Sequence, residues 1–103
     1  MITIEFIRKE IQNQSYEISI HGDDERIADG LSIEEIEFVL SGCEIIEQYP
    51  DDERGKSCLA MGYLQNGKPV HTVCGKNRSG HLVIITVYLP SMPKWKNEYK
   101  RNK

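Results

Sequence analysis

An α+β fold, with N-terminal helices packed on an antiparallel sheet, is predicted by three features of the 103-residue sequence. Helix signals are confined to the residues before Gly42, four strand-like runs follow them, and those runs are joined by turn-forming residues and not by helices. Such short connections impose antiparallel pairing, because a parallel pair needs a crossover of roughly a dozen residues.

The elements follow in order. Ile4, Ile7 and Ile11 have helical spacing, while Ile2, Ile4 and Phe6 alternate as in a strand, and the helix is the preferred reading. Tyr16 to His21 alternates cleanly, which predicts an early strand with Tyr16, Ile18 and Ile20 on one face and Glu17, Ser19 and His21 on the other. Asp23 and Asp24 are placed to cap a short helix ending near Gly30. Ser32 and Glu35 form a capping box for a further helix, with Ile33, Ile36, Val39 and Leu40 along one face and Gly42 past its end. The meander is then Cys43 to Tyr49, Ser57 to Leu64, Pro69 to Cys74 and His81 to Leu89. Its turns are Asp51 to Gly55, the Asn66-Gly67 step and Lys76 to Gly80. In the last strand Val83, Ile85, Val87 and Leu89 make the wholly apolar, core-facing set, which leaves Leu82, Ile84, Thr86 and Tyr88 on the other side. Pro90 and Pro93 stop that strand, so residues 1–90 are expected to form one domain and 91–103 a basic, partly disordered tail.

Composition narrows the setting. The three cysteines, Cys43, Cys58 and Cys74, are an odd number without a CxxC pair, which points to a reducing cytosol and not to a disulfide framework. The stretch Met1 to Glu5 has no signal-peptide character, and no apolar run reaches the ~18 residues that a bilayer requires. The net charge of −3 conceals a division: residues 1–53 carry three basic and fifteen acidic side chains, whereas from Arg54 onward ten basic residues face only Glu98. A chain polarised in this way can turn a basic face to phosphates, or can simply be keeping a lysine-rich end soluble.

The chemistry on offer is acid–base. With Thr86 and Tyr88 two residues apart on one face, an antiparallel neighbour starting at Pro69 would bring His71 beside them, near cationic turns at Lys76 and Arg78. A histidine, a hydroxyl and a phenol suit phosphodiester cleavage without a metal or cofactor: a base activates the ribose 2′-hydroxyl, an acid protonates the leaving oxygen, and cations stabilise the phosphorane. The plainer alternative is a packed strand histidine beside an ordinary sheet tyrosine. Cys58, His71 and Cys74 offer zinc-ligand types, but a histidine and cysteine three apart on one strand point to opposite faces. A cysteine nucleophile lacks the helix N-terminus that would activate it. The acidic helices read most simply as a solvated face.

Taken as a series, Tyr16-Glu17-Ile18-Ser19-Ile20-His21, Ser32 to Ile36, Glu44 to Asp52, Ser57-Cys58-Leu59, Gly67 to Cys74, Ile84 to Pro90 and Trp95 resemble the prokaryotic domain of unknown function 4258. The resemblance implies a small bacterial or archaeal cytosolic protein, likened to RelE-type ribonuclease toxins and encoded beside a zinc-finger, antitoxin-like partner. It also implies functional weight at His21, His71, Thr86 and Tyr88. Many members carry arginine four residues after the first histidine, where this chain has Glu25 followed by Arg26, so a phosphate-binding role would pass to Arg26. His81 matches no recurrent position and is expected to be exposed. The expectation is therefore a toxin-type RNA endonuclease, with catalytic His71, Tyr88, Thr86 and His21 and with Arg26, Lys76 and Arg78 on phosphate. A non-catalytic interaction module and a small zinc-dependent regulator are the alternatives.

Overall fold

The computed structural model describes residues 1–50 and 55–90. Most of the Asp51 to Gly55 turn and the predicted 91–103 tail lie outside these residues. The element order is α1 (Ile4–Asn13), β1 (Glu17–Ile18), α2 (Ile20–Ala28), α3 (Ile33–Ser41), β2 (Glu44–Tyr49), β3 (Ser57–Tyr63), β4 (Pro69–Lys76) and β5 (Leu82–Tyr88). The sheet has the order β1-β5-β4-β3-β2. The predicted antiparallel meander is present, and the early strand joins its β5 edge in parallel, so the sheet as a whole is mixed.

Local chemistry accounts for the helices. Thr3 caps α1, its hydroxyl accepting from Phe6 N–H at 3.1 Å, and Ile7 and Ile11 are buried as the spacing predicted. Ser32 and Glu35 close their capping box over α3, which buries Ile36, Val39 and Leu40. Val39 rests directly on Gly62 of β3: a Cβ at that glycine would lie 2.4 Å from the Val39 carbonyl oxygen.

The predicted strand over Tyr16 to His21 is cut short after two paired residues, and Ser19 is the reason. Its N–H donates to Ile84 O at 2.9 Å and its hydroxyl to Ile85 O at 2.8 Å, while the same hydroxyl oxygen accepts from Gly22 N–H at 2.9 Å and caps α2. Polar–apolar alternation cannot distinguish a strand residue from an N-cap, since serine is at home as either. His21 and Ile20 are thus helical, and Ile20 is 84% exposed instead of facing a core. Asp23 does not cap; its carboxylate accepts from Arg26 Nε at 2.7 Å within α2. The helix continues along the β5 edge, where Glu25 Oε1 accepts the Val87 N–H at 3.0 Å. An edge that would otherwise offer unpaired backbone groups is thereby covered.

The helix-side core joins Ile2, Ile7, Ile36, Leu40, Cys58, Ala60, Val70, Cys74, Leu82, Ile84 and Val87. This corrects the predicted core face of the last strand in its first half: Leu82 and Ile84 are buried, and Val83 and Ile85 are not. The physical cause is a β-bulge. Val73 pairs with Thr86 while the next residue, Cys74, pairs with Ile84, so Ile85 is an extra residue and the alternation inverts across it. Beyond the bulge the prediction holds, with Val87 inward and Thr86 and Tyr88 on the opposite face.

Two buried polar groups in this core differ in how they are satisfied. Glu10 Oε1 accepts the Leu82 N–H at 2.8 Å and lies 3.0 Å from His81 Nδ1, and its Oε2 accepts the Ser15 hydroxyl at 3.0 Å. His81, expected to be merely exposed, is therefore half of a tie between α1 and the start of β5. Thr72, fully buried, has a side-chain oxygen without a hydrogen-bond partner among the described residues. An unsatisfied buried hydroxyl costs about 1–3 kcal/mol. Thr72→Val, which keeps the shape and removes the hydroxyl, should therefore stabilise the protein and raise its Tm by several degrees in a thermal melt. An unchanged or lowered Tm would mean that the hydroxyl is satisfied.

Candidate acid–base site

The sheet face away from the core carries the candidate site. β4 and β5 are in antiparallel register with His71 opposite Tyr88 and Val73 opposite Thr86. His71 Nδ1 stands 3.3 Å from the Tyr88 hydroxyl, and the two rings are tilted by 57° with centroids 5.3 Å apart. This is the juxtaposition that the sequence pattern predicted. His71 is fully buried and is flanked by Met61, its cross-strand partner on β3, whereas Tyr88 is partly exposed. The phenol is thus the more accessible of the two groups. Thr86 precedes Tyr88 on the same face and is also partly exposed.

The remaining predicted residues sit elsewhere. His21 is on the exposed side of α2, with Nε2 3.4 Å from Glu25 Oε2, and Glu25 in turn holds the backbone of Val87, the residue between Thr86 and Tyr88. That places His21 along the same edge of β5, on a different element from the one predicted. Arg26 donates to Asp23 through Nε and to the Leu31 carbonyl at 3.1 Å through a terminal guanidinium nitrogen, so its side chain braces the end of α2. Lys76 lies over the Phe6 ring of α1 at 4.6 Å, on the helix side of the sheet. Five strand steps separate it from His71, about 16 Å at ~3.3 Å per residue. Arg78 is exposed on the turn beyond it. Lys76 and Arg78 therefore do not share one phosphate position with the His71–Tyr88 pair. Lys68, in the Leu64 to Lys68 turn that precedes β4, is the exposed cation nearer to that end of the strand.

The cysteines face the other way. Cys58 and Cys74 are cross-strand partners in the helix-side core, and Cys43 is buried in the same cluster. Burial pushes the Cys43 thiol up to about 11, and the hydrogen bond with Cys58 together with burial holds Cys74 well above the usual thiol range. Thiols in that state are poor nucleophiles. His71 is on the opposite face from Cys74, and among the described residues no three His, Cys, Asp or Glu side chains converge as a metal site would need. The zinc alternative thus lacks its ligand geometry.

A family model described as "Domain of unknown function (DUF4258)" matches residues 18–89, which run from the last residue of β1 through β5 and include both members of the pair. No curated protein and no solved structure matches the chain. Among the described residues no helix is long and apolar enough to cross a membrane.

Proposed function

The chain belongs to the domain of unknown function 4258 family, and from that premise we propose that it is a toxin-type, RelE-like RNA endonuclease of a prokaryotic toxin–antitoxin pair that acts in the cytoplasm without a metal. The observation that carries this reading is the contact between His71 Nδ1 and the Tyr88 hydroxyl at 3.3 Å.

The two groups form a relay. As the exposed member, Tyr88 takes the proton of the ribose 2′-hydroxyl while its own phenolic proton passes to Nδ1 of His71. The 2′-oxygen bonds to phosphorus, and the bond to the 5′-oxygen breaks. His21, on the same edge of β5, is positioned to protonate the leaving oxygen, and Thr86 to donate a hydrogen bond to the phosphate. Lys68 supplies positive charge at this end of the sheet, and Arg78 can meet a phosphate farther along the strand. Products would carry 2′,3′-cyclic phosphate ends. An antitoxin-like partner, of zinc-finger type, would silence the enzyme by covering Tyr88.

A second reading, a non-catalytic interaction module, is favoured by one observation: His71 is 0% exposed, as expected of a side chain that only packs. Expression separates the two. Wild type, expressed alone, should arrest growth and fragment RNA. His71→Ala or Tyr88→Phe, each folded, should lower the cleavage rate by about 10²- to 10⁴-fold, the usual contribution of a general acid or base. Equal growth and intact RNA in all three strains would favour the interaction module.

A further inference from the structure

A groove runs from α3 across the end of β3 to the start of β2. Three adjoining hollows of about 420, 520 and 450 Å³ compose it. The first two share Phe38 and Leu64, and the second and third share Gly42 and Tyr63, so the depression is continuous from the β3–β4 turn to the start of β2. Two large side chains that line it are partly exposed, Phe38 at 48% and Tyr63 at 39%. Large apolar groups side by side in a concave surface are characteristic of recognition sites. The groove also has a sign: among the described residues, Glu34, Glu35 and Glu44 line it against a single cation, Arg8.

We propose that this groove binds a partner protein through an apolar, aromatic-bearing segment flanked by lysine or arginine. The apolar anchor would lie against Phe38 and Leu64, and the flanking cations would meet Glu34 at one end and Glu44 at the other. The carboxylates repel nucleic acid, so the occupant is a polypeptide and not RNA. One end of the groove reaches Met61, which flanks His71, but neither His71 nor Tyr88 is among the described residues that line it, and the assignment does not rest on the nuclease reading.

The probe is a fluorescein-labelled peptide, Lys-Lys-Leu-Trp-Lys-Lys, titrated with the full chain and followed by anisotropy and by amide chemical shifts. Saturable binding that weakens with salt is expected, with shifts concentrated at Phe38, Tyr63 and Leu64. Phe38→Ala and Glu34→Lys, both at exposed positions, should each weaken binding tenfold or more and leave thermal unfolding unchanged. A peptide with glutamate in place of lysine should fail to bind. Absence of saturation, equal binding of the acidic peptide, or shifts confined to Thr86 and Tyr88 would each overturn the proposal, whether or not the substituted proteins fold.

Discussion

Gly62→Ala should destabilise the protein by about 3 kcal/mol, at the upper end of the cost of overpacking. The added Cβ would meet Val39 O at 2.4 Å, Val39 Cγ1 at 2.9 Å and Val39 C at 3.1 Å. Two of these atoms are backbone, so no side-chain rotation relieves the clash, and α3 must lift by about 1 Å from β3 to restore ordinary contact at 3.4 Å. That movement opens the packing of Ile36, Val39 and Leu40 together. For a domain of this size the expected loss in Tm is on the order of 15 °C. Gly42→Ala is the matched control: an added methyl there meets nothing within 4 Å. Denaturant melts of the two variants should therefore differ sharply, and equal midpoints would mean that α3 does not pack on β3 at this spacing.

Loss of Glu10 should cost a similar amount, about 2–4 kcal/mol, because Glu10→Ala removes charge-assisted hydrogen bonds and leaves the buried Leu82 N–H unpaired. The pH dependence has a definite sign. Burial alone would push this carboxyl up, but the hydrogen bonds from Leu82 N–H and Ser15 and the contact with His81 outweigh it and hold the group below its ordinary 4.5. A carboxyl whose folded-state value is depressed contributes stability that is fully present above its unfolded-state value. That stability is lost as the pH falls through the folded-state value. Wild type should thus lose this contribution below about pH 4.5, while Glu10→Ala, lacking it at neutral pH, should show a flatter acid limb. Glu10→Gln keeps an acceptor for Leu82 N–H and should recover part of the loss at pH 7. If wild type and Glu10→Ala lose stability in parallel from pH 7 to pH 3, the tie between α1 and β5 is not carried by the carboxylate.

These two residues also show where the sequence was legible and where it was not. The capping box at Ser32 and Glu35, the Asn66-Gly67 turn and the antiparallel meander depend on local chemistry, and each could be read from a few neighbouring residues. The approach of His71 to Tyr88 was legible because a short turn after Tyr63 and a second after Lys76 fix the register of β4 against its neighbours. Glu10 carried a signal too, since a carboxylate between Ile7 and Ile11 on the apolar face of a helix points to a buried partner. Gly62 carried a comparable signal, since glycine within a strand marks a close approach of another backbone.

Other features were not legible by pattern. The bulge at Ile85 exchanges faces within an unbroken run of β-forming residues, and no residue type announces it. Ser19 reads equally well as the outward residue of a strand and as the cap of a helix, and its choice is made by β5 carbonyls more than sixty residues away. The alternation therefore predicts a strand at His21, which is helical, yet it stays on the edge of the same strand. Lys76 and Arg78 are close to His71 in sequence, but β4 runs away from the site, and about 16 Å of strand separates Lys76 from His71.

The central claim is that Tyr88, backed by His71, cleaves RNA through its own 2′-hydroxyl. Its most direct measurement is cleavage of a single-stranded RNA by the purified chain in excess chelator, with end-group analysis of the products. The account predicts 2′,3′-cyclic phosphate ends and no cut at a position whose 2′-hydroxyl has been removed, together with a rate about 10²- to 10⁴-fold lower in folded Tyr88→Phe. A wild-type chain that leaves RNA intact, or a Tyr88→Phe chain that cleaves at the wild-type rate, would contradict it.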